Sequence, residues 1–473
     1  MKDSVERGWL LVTLALTFVI AHASLPATAQ AQSLAQLNVF TNDNLANITA
    51  GDHLPQGERA TLSRYYDQTS GMTLDQVVAR TLEHNGELLA ARAEVEAARA
   101  RLRQAGLRPN PRFDVSRTEQ VDGADNRTMI GGMLPLELGG RRQARIHVAE
   151  REVAMREQML LDRARLLAAE ARAKYGTALA EVRKLAFLEE VLAMTRQSYA
   201  LVDARVSEGR TAPLERNMVL VEINRIRAER EGRQSKVEMA LLELRNMMGM
   251  KPEEPLRLGG DLAEALPLPA LAEATERALR DRPDLRAARA AEELAAAQIE
   301  LARAEGRFNA SLVAQYERMN FGFPVRGIND AGQLAPVQGI FHYATFGVSL
   351  DVPARNRNQG AVEAAVAEAE AARRRREFAE LTVRREVAAA YAHYERAARA
   401  AEIFRTGVRD EARANLSVIR QTYELGSKAL LDYIAEQRRF VEVETGYVDA
   451  LLETYLARVE VERVIAANPQ VSR

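Results

Sequence analysis

The chain has 473 residues, 47% apolar and 28% charged, which excludes both a disordered polymer and a bundle of membrane-spanning helices. Lysine and arginine total 65 against 66 aspartate and glutamate, a balance that argues against nucleic-acid binding. Cysteine is absent, which removes disulfides, thiolate metal sites and a cysteine-linked lipid anchor, and the six histidines are scattered. No metal site and no cofactor is expected.

The N-terminus reads as a secretory signal over residues 1–31. Lys2 and Arg7 precede an apolar run from Trp9 to Ala21, too short to span a membrane as a helix. Small residues spaced for cleavage follow, with Ala29 and Ala31 favoured. Residues 32–72 form an N-terminal extension, of which 32–70 match no pattern. Beyond the signal no stretch is apolar enough for a membrane helix, so an exported chain is periplasmic, secreted or a β-barrel.

The remainder repeats. TLEHNGELLAARAEVEAARARL at 81–102 is matched by ALRDRPDLRAARAAEELAAAQI at 278–299. LPLELGGRR at 134–142 is matched by SLDVPARNR at 349–357, Tyr175 by Tyr391, and VSEGRTAPLE at 206–215 by YELGSKALLD at 423–432. Anchors kept in order over nearly two hundred residues indicate duplication of a structural unit. The first repeat covers 73–250 and the second 270–468, with a tail at 469–473. The join at 251–269 carries Pro252, Pro255, Gly259, Gly260, Pro267 and Pro269, a linker.

In the first repeat Pro109 and Pro111 end a helix, and strands are predicted at 112–120 and 128–138 around the turn VDGADNR. A helical hairpin follows at 140–248. Arg141 to Ser207 contains no proline and only Gly176, and apolar residues recur every seven at Ala164, Ala171, Ala178, Leu185, Leu192, Tyr199 and Val206. That spacing implies coiled-coil packing. Gly209 is the expected left-handed cap and Pro213 opens the return helix.

The second repeat predicts strands at 309–318 and 342–352. Ala344, Phe346, Val348, Leu350 and Val352 alternate with Tyr343, Thr345, Gly347, Ser349 and Asp351, the pattern of a membrane barrel strand. The glycine- and aromatic-rich stretch Met319–Phe341 reads as an outer loop. A second hairpin is predicted at 358–468, with Val387, Tyr394, Ala401 and Val408 as its sevenfold series and Gly426 as its turn. Two strands per repeat give four per chain. Four strands cannot close a barrel and open edges are not tolerated in lipid, so sister copies must complete it. Arginines gather where strand meets helix, and Arg112, Arg141, Arg142, Arg355 and Arg357 are expected near lipid phosphates.

The repeat order, the YELGSKALLD turn and the long hairpins resemble TolC-type outer-membrane efflux proteins, over about 73–468. QAGLRPNP at 104–111 and LPLELGGRRQARIHVAE at 134–150 resemble the CzcC-like heavy-metal branch. The resemblance implies a mixed α and β fold: a homotrimer with a twelve-stranded transmembrane β-barrel and a long periplasmic α-helical barrel. It implies a passive export duct in the outer membrane lipid, with a periplasmic adaptor protein and an inner-membrane resistance–nodulation–division pump as partners. Heavy-metal cations would be the cargo.

It further implies that the hairpin tips, Val206, Ser207, Glu208, Gly209 and Arg210 with Tyr423, Glu424, Leu425, Gly426 and Ser427, meet the adaptor. TolC carries two acidic residues three apart at its periplasmic entrance. The first corresponds to Asp432, whereas the second position is Ala435, with Glu436 beside it and Glu215 as the first-repeat counterpart of Asp432. A drug-efflux or type I protein-secretion duct is the alternative within this class, and a periplasmic coiled-coil scaffold the alternative outside it. No phosphate-binding loop, GxSxG or HExxH supports an enzyme.

Overall fold

The computed structural model describes residues 62–262, 268–328 and 330–466. The expected signal and most of the N-terminal extension lie outside the described residues. Two compact units are present. One gathers the described residues of Glu87–Arg163 and Asp281–Thr382; the other gathers those of Ala164–Arg280, those from Val383 to 466, and those up to Gly86.

The first unit is built on an antiparallel sheet of β1 (Arg112–Glu119), β2 (Asn126–Leu136), β3 (Asn309–Ile328) and β4 (Leu334–Asp351), in chain order. Among the described residues β1 and β4 have no outer neighbour. Register puts Phe113, Gly132, Ala314 and Phe346 in one row. The row two residues along is Val115, Ile130, Tyr316 and Ala344. Leu134, Leu312 and Val348 share the same face, because side chains alternate along a strand. The opposite face carries Asp114, Gln315 and Thr345, then Ser116, Glu317 and Tyr343. One face is therefore apolar and the other polar, and Phe346 is 82% exposed on the apolar one.

Most of the expected outer loop at Met319–Phe341 is instead strand: β3 continues past 318 to Ile328 and β4 begins at Leu334, before 342, with a turn at 330–333 between them. Glycine and aromatics there signalled a loop but form a ribbon. Phe321, Phe323 and Phe341 pack edge to face, and Gly339 leaves room for two of the rings, since a Cβ there would lie 2.8 Å from Phe341. The β2 bounds also lie two residues before the predicted 128–138, because pairing with Glu119 begins at Asn126. Two helices complete the unit, α2 (Gly86–Ala105) and α6 (Pro283–Glu305), with the opening stretches of two long helices.

Those long helices are α3 (Arg141–Ser207), 67 residues and thus roughly 100 Å at ~1.5 Å per residue, and α7 (Gln359–Ile403). The helical unit holds their later parts with α1 (Leu74–His84), α4 (Pro213–Met247), α5 (Leu271–Asp281), α8 (Asp410–Glu424) and α9 (Leu430–Val464). Ala164, Ala171, Ala178, Leu185 and Leu192 are all 1% exposed or less, so the sevenfold series is a buried seam as far as Leu192, while Tyr199 and Val206, nearer the tip, are half-buried. The linker packs inside this unit. Leu256, Leu258 and Leu262 join Tyr65, Tyr66 and Val77 in one core, and the Tyr175 hydroxyl donates to the carbonyls of Gly259 and Met72. Leu62, Tyr65 and Tyr66, within the stretch 32–70 that matched no pattern, thus belong to the core.

Between α7 and α8, Phe404–Arg409 form a π-helical turn. The cause is legible in the numbering. Tyr175 and Gly209 are 34 residues apart, whereas their counterparts Tyr391 and Gly426 are 35 apart. One extra residue in a helix would turn everything beyond it by about 100°; a π turn absorbs it. The buried seam confirms this, because Val387 and Ala401 are followed by Arg409 and Tyr423. Val408, expected on the seam, is half-buried, and the series resumes one residue late.

Candidate functional site

The ends of both hairpins are built alike. After α3, the Gly209 amide donates to Val206 and the Arg210 amide to Arg205; after α8, the Gly426 amide donates to Tyr423 and the Ser427 amide to Thr422. These are Schellman caps, and they require a left-handed residue: Gly209 has φ 72° and Gly426 has φ 78°. Ala212 and Ala429 then hold extended backbone and admit the return helices, with Pro213 at the first position of α4. Ser207, Glu208, Gly209, Arg210, Glu424, Leu425, Gly426 and Ser427 are exposed, Val206 is half-buried and Tyr423 buried. Leu425 is 82% exposed and Glu208 pairs with Arg210 at 3.0 Å.

Two side chains the sequence reading missed tie the tips together. The Arg205 guanidinium donates to the Glu424 carbonyl at 2.9 Å and stands 5.8 Å from the Tyr423 ring centre. Tyr433 stacks on Tyr423 at 5.8 Å, with the rings 3° from parallel. Arg205 directly precedes the tip residue Val206 and Tyr433 directly follows Asp432, but as ordinary helix positions they carry no motif. Burial raises the Tyr423 hydroxyl above its ordinary range, and the Glu215 charge adds to this.

Asp432 and Glu215 occupy equivalent places, each in the first turn of a return helix where a carboxylate meets the positive helix end. Asp432 is exposed and Glu215 half-buried. Glu436 differs: one turn deeper, it is 9% exposed and answered by Arg439 at 3.2 Å. In the single chain it does not share the open surface of Asp432.

The arginines near the sheet divide into two sets. Arg141 donates to the carbonyls of Ala304, Glu305 and Arg307, closing the end of α6. Arg142 donates to Gly106, and Arg145 to Ala105 and Leu107, closing the end of α2. These guanidiniums satisfy orphan helix carbonyls. Arg112, paired with Asp114 at 3.2 Å, and Arg355 and Arg357 are exposed. Arg318, His342 and Arg117, with Thr128, occupy one row that ends the apolar band, where the Tyr316 hydroxyl meets His342 Nδ1 at 2.6 Å.

A sheet apolar on one face, polar on the other and open at both edges, joined to long capped hairpins, defines a subunit of an outer-membrane channel. Residues 77–250 and 274–467 match the outer membrane efflux protein family, and the chain belongs to it. It is similar to the cobalt-zinc-cadmium resistance protein CzcC of Cupriavidus metallidurans, 23% identical over 407 residues, covering 83% of this chain and 90% of the relative. It is also similar to the nickel-cobalt-cadmium resistance protein NccC of Alcaligenes xylosoxydans xylosoxydans, 27% identical over 60% of this chain and 61% of that one. Among solved structures, CusC superposes with a TM-score of 0.68 at 18% identity, over 85% of this chain and 93% of the other. The open state of the Neisseria gonorrhoeae MtrE outer membrane channel gives 0.65 at 20% identity, over 83% and 88%. The family is one of efflux channels, not of enzymes, and the scaffold reading falls with it.

Proposed function

We propose that three copies of this chain close a twelve-stranded barrel in the outer membrane and serve as the passive exit duct of a tripartite efflux system, with heavy-metal cations as cargo. The observation that carries it is the sheet. Four strands with one exposed apolar face and two unpaired edges are stable in lipid only when copies pair edge to edge. Exposed Arg112, Arg355 and Arg357 would meet lipid phosphates at the inner rim, whereas Arg141 and Arg142 serve mainly as helix caps.

The hairpin ends would dock the periplasmic adaptor through Val206–Arg210 and Tyr423–Ser427, and the adaptor would link the duct to an inner-membrane resistance–nodulation–division pump. Asp432, ringed threefold, would attract cations at the periplasmic entrance, with Glu215 beside it and Glu436 behind it. Metal cargo is supported by the relatives, a cobalt-zinc-cadmium and a nickel-cobalt-cadmium resistance protein. Deleting the gene and growing the strain on zinc, cobalt, cadmium, nickel and common drugs tests it. Metal sensitivity alone is expected; drug sensitivity alone would make this a drug-efflux duct.

A further inference from the structure

The apolar face of the sheet ends in a basic row, with Arg117, Thr128, Arg318 and His342 side by side on the four strands. Arg318 is exposed and, among the described residues, makes no hydrogen bond or ion pair. Arg117 is exposed and donates from Nε to Glu119 at 2.7 Å. Glu119 is the only carboxylate in the next row out, whose other members are Asn126, Asn320 and Ile340, so a net positive charge remains. The Tyr316 hydroxyl, one row inward, meets His342 Nδ1 at 2.6 Å. With the tyrosine proton on Nδ1, the imidazole keeps its own hydrogen on Nε2 and offers a second donor beside Arg318.

Inward of this row the same face is hollowed. Phe113, Gly132, Ala314 and Phe346 share a row, so rings on the two edge strands flank a floor of glycine and alanine on the two inner ones. The trough so formed is lined further by Ile130, Leu134, Leu312 and Val348. Ala314 on its floor and Arg318 lie on the same strand and the same face, so the trough leads to the unpaired guanidinium. Joining copies through β1 and β4 uses only the backbone edges of those strands, and the outward face of β2 and β3 stays open.

The row also stands at the height of lipid headgroups. The helices of this unit leave from the far ends of the strands, so with the helices periplasmic the β1–β2 and β3–β4 turns face the cell exterior. His342 is eight residues from Leu350. That is ~26 Å along the strand and roughly 20 Å along a barrel axis at the usual tilt, close to the ~25 Å height of a barrel's apolar band. We propose that the row and the trough together bind a phosphate-bearing lipid of the outer leaflet. Its phosphate accepts from Arg318 and from His342 Nε2, and an acyl chain lies over Gly132 and Ala314. The proposal rests on the barrel reading and adds to it a specific lipid site at the outer rim.

The test is a titration of the detergent-solubilised assembled protein with bisphosphorylated lipid A, its dephosphorylated form, phosphatidylcholine and inorganic phosphate, read by native mass spectrometry. Lipid A is expected to bind about tenfold or more tightly than its dephosphorylated form, the scale of one charge-assisted hydrogen bond. Inorganic phosphate at equal concentration should not displace it. Arg318→Gln should remove most of that preference and leave phosphatidylcholine binding and heat-modified migration unchanged. Should Arg318→Gln fail to assemble, Ala314→Phe decides, because it fills the trough floor, keeps every charge and should weaken lipid A binding. Equal binding of the two glycolipids overturns the proposal, as does lipid A binding unchanged in the deciding variant. Displacement by equimolar phosphate would also overturn it, in favour of a free-anion site. A wild type that gives no heat-modifiable assembly fails earlier, at the barrel itself, and takes the lipid site with it.

Discussion

Tyr391 donates its hydroxyl to the carbonyl of Pro269 at 2.8 Å, so the second repeat is fastened to the linker that joins it to the first. Tyr175, its counterpart, does the same at Gly259. Burial pushes the Tyr391 hydroxyl up to about 12, with the Glu273 charge adding, so it remains a proton donor at physiological pH. Tyr391→Phe removes one buried hydrogen bond and should cost about 1 kcal/mol. Tyr175→Phe leaves the Gly259 carbonyl without its buried donor, while Met72 keeps the Gly259 amide, and in the larger core it should cost at least as much. The midpoint of heat-modified gel migration ranks the two.

Gly71 lies against the linker so closely that a Cβ would stand 2.3 Å from the Leu258 carbonyl oxygen, which is backbone and cannot yield alone. Gly71→Ala should therefore destabilise the helical unit by about 1–3 kcal/mol, as overpacking does. Gly86→Ala, where nothing lies within 4 Å, is the control and should stabilise or be neutral. Chemical denaturation followed by circular dichroism separates them.

Because the π turn absorbs one residue, deletion of Gly407 should restore an ordinary helix and leave the faces of α8 in register. Deletion of Ala400, before the turn, is the demanding comparison only if the turn cannot migrate one step; deletion of Ala168 in α3 has no turn to draw upon. We expect the Gly407 deletion to assemble with nearly unchanged thermal midpoint and the Ala168 deletion not to assemble. Equal loss in both would mean that the turn does not take up the extra residue.

Glu222 is 1% exposed, and burial alone would raise its carboxyl. Hydrogen bonds and charge from Arg438 and Arg225 outweigh this and hold it below the ordinary carboxylate range. A depressed folded value means the stabilisation is complete above the unfolded value, about 4.3, and disappears as pH falls through the folded one. Stability of the wild type should thus decline below about pH 4. Glu222→Gln should be less stable at neutral pH and show a flatter acid limb in denaturant midpoints.

Asp432 sits exposed in the first turn of α9. If three copies ring the periplasmic entrance, Asp432→Ala should lower the cation-to-anion permeability ratio in a planar bilayer. Glu436→Gln should alter stability rather than selectivity, since that carboxylate is interior. Unchanged reversal potentials in Asp432→Ala would remove it from the constriction.

The long helices and their turns were legible because proline and glycine are scarce for dozens of residues and the sevenfold series is regular. Strand existence was legible from alternation at Ala344–Val352. Strand length was not: Phe321, Phe323, Phe341 and Gly339 look like loop composition until their rings are seen to pack across a ribbon. Nor was the π turn visible from the seam alone, since Val408 fits a sevenfold count as well as Arg409 fits an eightfold step. The capping role of Arg141 and Arg142 was not legible, because an arginine between strand and helix has the same sequence whether or not it closes a helix end.

The strand order of the sheet has a consequence for how the cylinder is stitched. Within a chain, β2 of the first half is zipped to β3 of the second along eleven residue pairs. Around a closed ring of three, the seam from one copy to the next joins β4 to β1, which again unites a second half with a first half. Six half-chains thus follow one another around the circumference through two alternating kinds of seam, and the covalent tether at 251–269 spans only one kind. Severing that tether and supplying the halves as separate polypeptides would leave every seam chemically possible.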